Sequence, residues 1–307
     1  MMDVAIIGGS FAGLTAALQL GRASRTVSVL DAGAPRNRSS PGAHGVAGWH
    51  GIPPADILAR FRADLQPYPS ISLRTGVVTG VQGSQDAFRL LLDDNEQVFA
   101  RRLILAHGVR DILPEIPGLT DAWGRRVLHC PYCHGYEMKG GSLAVLAVHP
   151  MSAHQALMLR ADWSKQVTLI TAGMEEFDWE ALEQAGVRVE RGGLAAVTEV
   201  PGGIDLTLTD GSIERHAALF LSPKTLLAGS PAEQLGCMLA DGPMGLFVRV
   251  GPMAQTSIPG VFAAGDIARP MPNINFALAD GAQAGSGCHA SLLFPGFVKP
   301  LVEVPTS

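Results

Sequence analysis

The chain has 307 residues, of which 47% are hydrophobic and 17% charged, and its net charge is −5. A chain of this kind is not disordered and buries a sizeable core, most simply in two domains; its acidic balance, without a basic run, argues against nucleic acid and against an anionic membrane as partners. Its four cysteines, only two of them close in sequence, do not make the disulfide framework of a small secreted domain and fit a reducing cytoplasm with one functional pair.

The uncharged run from Val4 to Leu20 imitates the core of a signal peptide. Asp3, however, stands where a positive flank is required, and Gly8-Gly9-Ser10 interrupts the run. Residues 3–7 read instead as a buried parallel strand that enters the glycine turn Gly8-Gly9-Ser10-Phe11-Ala12-Gly13. A helix follows to about Arg22, and a second strand, 26–30, ends at Asp31. Strand, glycine turn, helix, strand and acid together are the dinucleotide fingerprint in its proper setting. Gly8 permits the tight turn, and Gly13 lets the helix pack on the strand. Ser10 replaces the middle glycine but is small enough for a phosphate to approach. The helix N-terminus offers N–H groups to a pyrophosphate, and Asp31 can accept from ribose hydroxyls.

Residues 32–54 are irregular and rich in Gly, Pro and Arg, and a loop this long inside a compact domain is usually functional. Within it, Trp49 and His50 either line a substrate entrance or simply cover the domain. A helix is expected at 55–65 and strands at 77–78, 88–92, 98–100 and 102–105, the last ending in Ala106-His107-Gly108. Pro114 and Pro117-Gly118 mark a boundary.

The second domain opens with Cys130-Pro131-Tyr132-Cys133-His134-Gly135-Tyr136-Glu137. Two cysteines at this spacing serve either a redox disulfide or a metal. His129, Cys130, Cys133 and His134 could together ligate zinc, although chain neighbours such as Cys133 and His134 rarely both reach one ion. After this stretch the α/β pattern restarts. Strands are expected at 142–148, 167–170, 187–191, 204–209 and 217–221, with helices at 152–160 and 180–185. Then come Thr256-Ser257-Ile258-Pro259-Gly260-Val261-Phe262-Ala263-Ala264-Gly265-Asp266 and a small-residue helix at 277–293. The fold class is α/β, with two Rossmann-like units and a single nucleotide fingerprint. Cys237 and Cys288 sit in apolar or small-residue surroundings and read as inert core residues, and the methionines read as packing.

This arrangement resembles the low-molecular-weight thioredoxin reductases over nearly the whole chain. The fingerprint, the Cys-x-x-Cys motif and the run from Thr256 to Asp266 carry the likeness. Cys130 to Glu137, Gly108-Val109-Arg110-Asp111 and Pro35-Arg36-Asn37 are similar to the branch of FAD-dependent dithiol oxidases that close disulfides in natural products such as gliotoxin and holomycin. His107 departs from the more usual Ala-Thr-Gly. The resemblance implies a discontinuous FAD domain, 1–113 with 244–307, and a redox-disulfide domain, 114–243, inserted into it. It implies flavin contacts from Gly8, Gly9, Ser10, Phe11, Ala12, Gly13, Asp31, Arg36, Asn37, His44, Val78, Ala106, Gly108, Gly265, Asp266 and Ala279. It also implies a homodimer.

A thioredoxin reductase would bind NADPH in its middle domain, which requires glycines at the first strand-to-helix turn. Here that turn reads Ala147-Val148-His149-Pro150-Met151-Ser152. After the next strand, where a basic cluster should meet the 2′-phosphate, the chain reads Thr171-Ala172-Gly173-Met174-Glu175-Glu176. Both features argue against NADPH. The expected function is therefore oxidation of a small-molecule or peptide dithiol, with electrons passing through the cysteine pair to FAD and on to dioxygen as hydrogen peroxide. Rival readings are a disulfide reductase fed by another donor, such as ferredoxin, and a non-enzymatic flavin redox sensor. By the resemblance, Cys130 exchanges with substrate and Cys133 stays on the flavin side. His134 stands where the reductases carry an acid–base aspartate, so it is the expected proton handler. If His134 is merely packed, Glu137 becomes the base or the residue that orients it.

Overall fold

The computed structural model describes residues 1–294 and 296–302. The chain forms two compact units. The first contains Met1–Arg36, Ala55–Arg110 and the described chain from Thr225 on; the second contains Asn37–Pro54 and Asp111–Lys224.

In the first unit the sheet is built from β1 (Met2–Ile7), β2 (Val27–Asp31), β3 (Ile71–Thr75), β4 (Val78–Gln82), β5 (Phe88–Leu92) and β6 (Gln97–Leu105), in the order β3-β2-β1-β6-β5-β4. α1 (Phe11–Arg22) connects β1 to β2, and α2 (Pro54–Leu65) precedes β3. β1 runs parallel to both β2 and β6, which is why Val4-Ala5-Ile6-Ile7 is an unbroken apolar run rather than an alternating one. The two short strands expected at 98–100 and 102–105 are one strand. Its first half pairs antiparallel with β5, and its second half lies between β1 and the strand Val261–Ala263. Arg101 and Arg102 look like a break in sequence, but Arg102 is only 2% exposed. Its guanidinium bonds Ser291 Oγ at 3.0 Å, the Ser291 carbonyl at 2.9 Å and Asp86 Oδ1 at 2.8 Å. The expected small-residue helix runs over Ile274–Leu293 and packs along α1.

In the second unit five parallel strands stand in the order Arg188–Glu190, Val167–Ile170, Leu143–Leu146, Ala218–Phe220, Val127–Leu128. An antiparallel sheet of Leu194–Val200, Gly203–Leu208 and Ile213–His216 joins them. The fold is α/β, with a Rossmann-like arrangement in each unit.

The division differs from the sequence expectation at three points. The chain leaves the first unit after Arg110 rather than at 113, and it returns at Thr225 rather than at 244. The reason for the early return is packing: Ala232, Cys237 and Val248 share one buried cluster with Ala5, Ile7 and Leu30. Residues 37–54, expected in the FAD domain, belong to the second unit. Residues 303–307 of the expected 244–307 segment lie outside the described residues.

Candidate active site

The fingerprint turn is dictated by close approach. Gly8 has φ +106°, and a Cβ there would lie 2.3 Å from the Ala106 carbonyl oxygen. A Cβ on Gly13 would meet the Gly8 carbonyl oxygen far inside contact distance. Leu14 donates the first helical bond, to the Ser10 carbonyl at 2.9 Å, so the N–H groups of Phe11, Ala12 and Gly13 point out of the helix end. The Ser10 side chain makes no capping bond, and Gly9 is backed by Asp31. Asp31 accepts from the Gly33 N–H at 3.2 Å and from Arg62 Nη2 at 3.1 Å. Arg62 was not foreseen: it lies on α2, and nothing local to the motif points to it.

Arg36 and Asp266 form an ion pair, Nη1 to Oδ2 at 3.3 Å. Asp266 stands on a 3-10 turn, Gly265–Ala268, and a Cβ on Gly108 would lie 4.0 Å from that of Asp266. Ala106 is buried at the end of β6, beside Gly8. These residues gather at one end of the first unit's sheet, together with the turn. Val78 opens the edge strand β4, and Ala279 is exposed on the helix Ile274–Leu293. Asn37 and His44 fall in the second unit.

The cysteine stretch forms a single helical turn, Pro131–His134, with Cys130 as its N-cap. Pro131 suits the first helical position because its missing N–H would have had no partner there. The Cys133 N–H bonds the Cys130 carbonyl at 3.1 Å. Both cysteines are half-buried, while Tyr132 and Tyr136 project into solvent. His129 Nδ1 faces the Leu221 carbonyl oxygen at 3.4 Å.

His134 Nε2 lies 3.3 Å from Ser40 Oγ. The Ser40 hydroxyl hydrogen is donated to the Gly42 carbonyl at 2.8 Å. The hydroxyl oxygen is left facing Nε2, while Nδ1 is buried without a hydrogen-bond partner. Burial lowers the pKa of His134 and the nearby His44 lowers it further; Glu137 and the Cys130 backbone pull the other way without reversing the shift. The His44 ring stands edge-on to His134, with centroids 6.0 Å apart.

Glu137 binds His44, not His134: His44 Nδ1 to Glu137 Oε1 is 3.2 Å. His44, His50 and Glu137 bring possible ligand atoms within 4.8 Å of one another. His50 Nδ1 already accepts from the Gly45 N–H at 3.2 Å, and His44 Nδ1 faces Glu137 at ion-pair distance.

The turn between Leu143–Leu146 and the helix Met151–Asp162 uses up its own donors. His149 is 7% exposed, and its Nδ1 accepts from the Met151 N–H at 3.0 Å. Ser152 Oγ accepts from the Val148 N–H at 3.2 Å, the Ser152 N–H bonds the His149 carbonyl at 2.9 Å, and Pro150 has no N–H. Glu175 and Glu176, past the next strand, are exposed. Cys237 and Cys288 are both buried. Burial pushes the Cys237 thiol up to about 11 and Cys288 higher still, so neither is a thiolate at neutral pH.

Residues 2–284 match the pattern of the pyridine nucleotide-disulphide oxidoreductase family. The chain is similar to thioredoxin reductase sirT of Leptosphaeria maculans, at 33% identity, and to thioredoxin reductase tcpT of Claviceps purpurea, at 35%, with 95% of each chain covered in both cases. Among solved structures it is similar to an oxidoreductase from Agrobacterium tumefaciens, at 44% identity and TM-score 0.90 over 96% of this chain and 99% of that one. It is also similar to HlmI, at 32% identity and TM-score 0.87 over 95% and 92%. Among the described residues no helix is long and apolar enough to cross a membrane. The Gly8 turn, its outward-pointing amides and Asp31 fit a dinucleotide cofactor. The chain belongs to the pyridine nucleotide-disulphide oxidoreductase family, as a thioredoxin reductase-like flavoprotein that carries FAD and acts on thiols and disulfides.

Proposed function

We propose that this flavoprotein is a dithiol oxidase that closes a disulfide in a small-molecule or peptide substrate and takes no electrons from NADPH. The observation that carries this reading is the turn 147–152. Its N–H groups bond His149 Nδ1, Ser152 Oγ and the His149 carbonyl, which leaves a pyrophosphate little to bind. The exposed Glu175 and Glu176 would repel a 2′-phosphate.

A substrate thiol loses its proton to the neutral His134 imidazole. The thiolate attacks the Cys130 sulfur of the oxidised pair, and the Cys130–Cys133 bond breaks as a mixed disulfide forms. The second substrate thiolate then attacks the sulfur shared with Cys130. The substrate leaves as a disulfide, oxidised by two electrons, and the cysteine pair is left reduced. FAD, held by the Gly8 turn and its outward-pointing amides, would supply a two-electron acceptor for the pair and would pass those electrons on to dioxygen as hydrogen peroxide. Protons from the two substrate thiols balance the peroxide. We further infer a homodimer in the cytoplasm. The resemblance to enzymes of gliotoxin and holomycin pathways points to a biosynthetic dithiol as substrate.

The similar proteins are named thioredoxin reductases, which favours a second reading, disulfide reduction; the turn 147–152 would then require a donor other than NADPH. One assay separates the two. Reduced dithiothreitol is mixed with the protein under nitrogen and in air, without nicotinamide. The oxidase reading expects flavin bleaching under nitrogen, with oxygen uptake and peroxide in air. Bleaching that air does not reverse favours the reductase, and no bleaching at any dithiol concentration sinks both. Rapid bleaching by NADPH would refute the argument from the turn. Cys133→Ser should abolish dithiol-driven bleaching.

A further inference from the structure

The loop 43–52 is tied shut at its base. Ala43 and Ile52 form an isolated antiparallel bridge; the Ala43 N–H bonds the Ile52 carbonyl at 2.8 Å and the Gly51 N–H bonds the Ala43 carbonyl at 2.8 Å. His44 and His50 stand just inside the two ends of that bridge, so their rings meet edge-on with centroids 5.1 Å apart. Glu137, three residues past the helical turn Pro131–His134 of the same unit, brings its carboxylate to His44. The three side chains place one ligand atom each within 4.8 Å of one another, and no other such group gathers among the described residues.

The contact at the centre of this group is not an ordinary ion pair. His44 Nδ1 and Glu137 Oε1 are 3.2 Å apart, yet Nδ1 is buried without a hydrogen-bond partner. The pair has ion-pair distance without hydrogen-bond geometry, an arrangement that suits a cation shared between the two atoms. Two atoms bonded to one tetrahedral zinc at about 2.0–2.1 Å stand roughly 3.3 Å apart, close to the spacing of this pair. The other nitrogen of His44 is turned toward the backbone, since a Cβ on Gly42 would lie 3.4 Å from Nε2. Nδ1 is therefore the ligating atom. His50 Nδ1 accepts from the Gly45 N–H at 3.2 Å, and that amide belongs to an exposed residue, so water can replace the bond when the imidazole turns to a metal. His50 and Glu137 are exposed and His44 is half-buried, so an ion reaches the group from solvent.

We propose that His44, His50 and Glu137 form a site for a divalent metal ion of the zinc class. Two imidazoles and one carboxylate are a donor set that suits zinc, whereas magnesium and calcium seek oxygen. Three protein ligands leave the fourth position of a tetrahedral ion to water or to a thiolate. Bound metal clamps the loop 43–52 to the stretch that follows the cysteine turn. The clamp lies next to His134, whose ring centroid is 6.0 Å from that of His44.

The test uses untagged, flavin-loaded full-length protein with the cysteine pair oxidised, so that no thiolate of the pair competes for the ion. Zinc chloride is titrated into the parent, His50→Ala and Glu137→Gln by calorimetry and equilibrium dialysis, with magnesium chloride as the control. The parent should bind one zinc per chain that EDTA removes, and each substitution should weaken that binding at least about tenfold. Zinc should also raise the parent's thermal unfolding midpoint, and the rise should shrink in His50→Ala. No zinc binding by the parent overturns the proposal. So does equal affinity in the parent and either variant, which would put the ion elsewhere on the surface. Magnesium binding as tight as zinc would reduce the group to an unspecific anionic patch and overturn it too. If His50→Ala does not fold, His50→Gln, which keeps the bulk but is a poor zinc ligand, takes its place; an affinity matching the parent's overturns the proposal as well.

Discussion

His44 Nδ1 lies 3.2 Å from Glu137 Oε1, so the carboxylate three residues after His134 is engaged by a different histidine. Ser40, not Glu137, is what His134 Nε2 faces. The orienting group for the base therefore comes from the loop 37–54, ninety-four positions away in sequence.

That arrangement sets a pH signature. His134 is competent when neutral, and its pKa lies below the ordinary 6.5, so the acid limb of kcat/KM for dithiol should fall below that value. His44 pushes the pKa down and Glu137 pulls it up. His44→Ala should move the limb to higher pH and Glu137→Gln to lower pH. Stopped-flow flavin bleaching against pH measures both, and shifts of the same sign would contradict the assignment. His134→Ala should slow bleaching by about 10²–10⁴-fold.

The side-chain bonds of the turn 147–152 should be visible in stability. Ser152 is fully buried and its hydroxyl accepts from the Val148 N–H. Ser152→Ala should cost about 0.5–2 kcal/mol in urea unfolding. Dithiol turnover in air should be unchanged. NADPH should still fail to bleach the variant, since His149 and Pro150 remain.

Arg102 is the largest side chain among those fully buried, and its partners come from distant parts of the chain. Arg102→Ala strands the Ser291 carbonyl that accepts from its guanidinium and removes a buried ion-pair partner, so a loss of about 3–5 kcal/mol is expected. Asp86→Asn should cost less, because Asp86 is half exposed while Ser291 still binds the guanidinium. Denaturant midpoints of the two variants give the order, and the reverse order would refute it.

His107 predicts acid lability of a definite sign. Its folded pKa, about 4, lies below the ordinary 6.5, so the unfolded chain binds the proton first. The contribution is fully present above 6.5 and is lost as pH falls through 4, amounting to about 3 kcal/mol. His107→Leu should flatten that part of the stability curve; a slope equal to the parent's between pH 6.5 and 4 would count against it.

The local patterns were legible in sequence, and the long-range ones were not. Gly8, Gly13 and Asp31 lie in one continuous strand-turn-helix-strand pattern, and backbone geometry alone demands the glycines. The blocked second turn was equally readable, because a proline and a missing glycine act through the backbone. By contrast, the length of β6 was hidden behind Arg101 and Arg102, because only the fold reveals that one arginine is sealed inside by Ser291 and Asp86. The return of the chain at Thr225 carries no punctuation of its own and is set by whichever core accepts Ala232, Cys237 and Val248. Ser40 looked like an ordinary loop residue and His44 like a flavin contact until the fold brought them beside His134.

The interleaving of the chain also fixes the order of assembly during synthesis. β1 and the fingerprint turn emerge first, but the strand Val261–Ala263 that completes β6 and the helix that packs on α1 are among the last segments made. At roughly 5–20 residues per second, the first unit waits tens of seconds for its own closing pieces. During that wait Asp111–Lys224 is already complete, and it needs only the long-exposed loop 37–54 to finish its redox turn. The thiols are therefore housed before the cofactor cradle closes, and a nascent chain stalled near residue 250 would carry a folded cysteine turn and an open nucleotide fold.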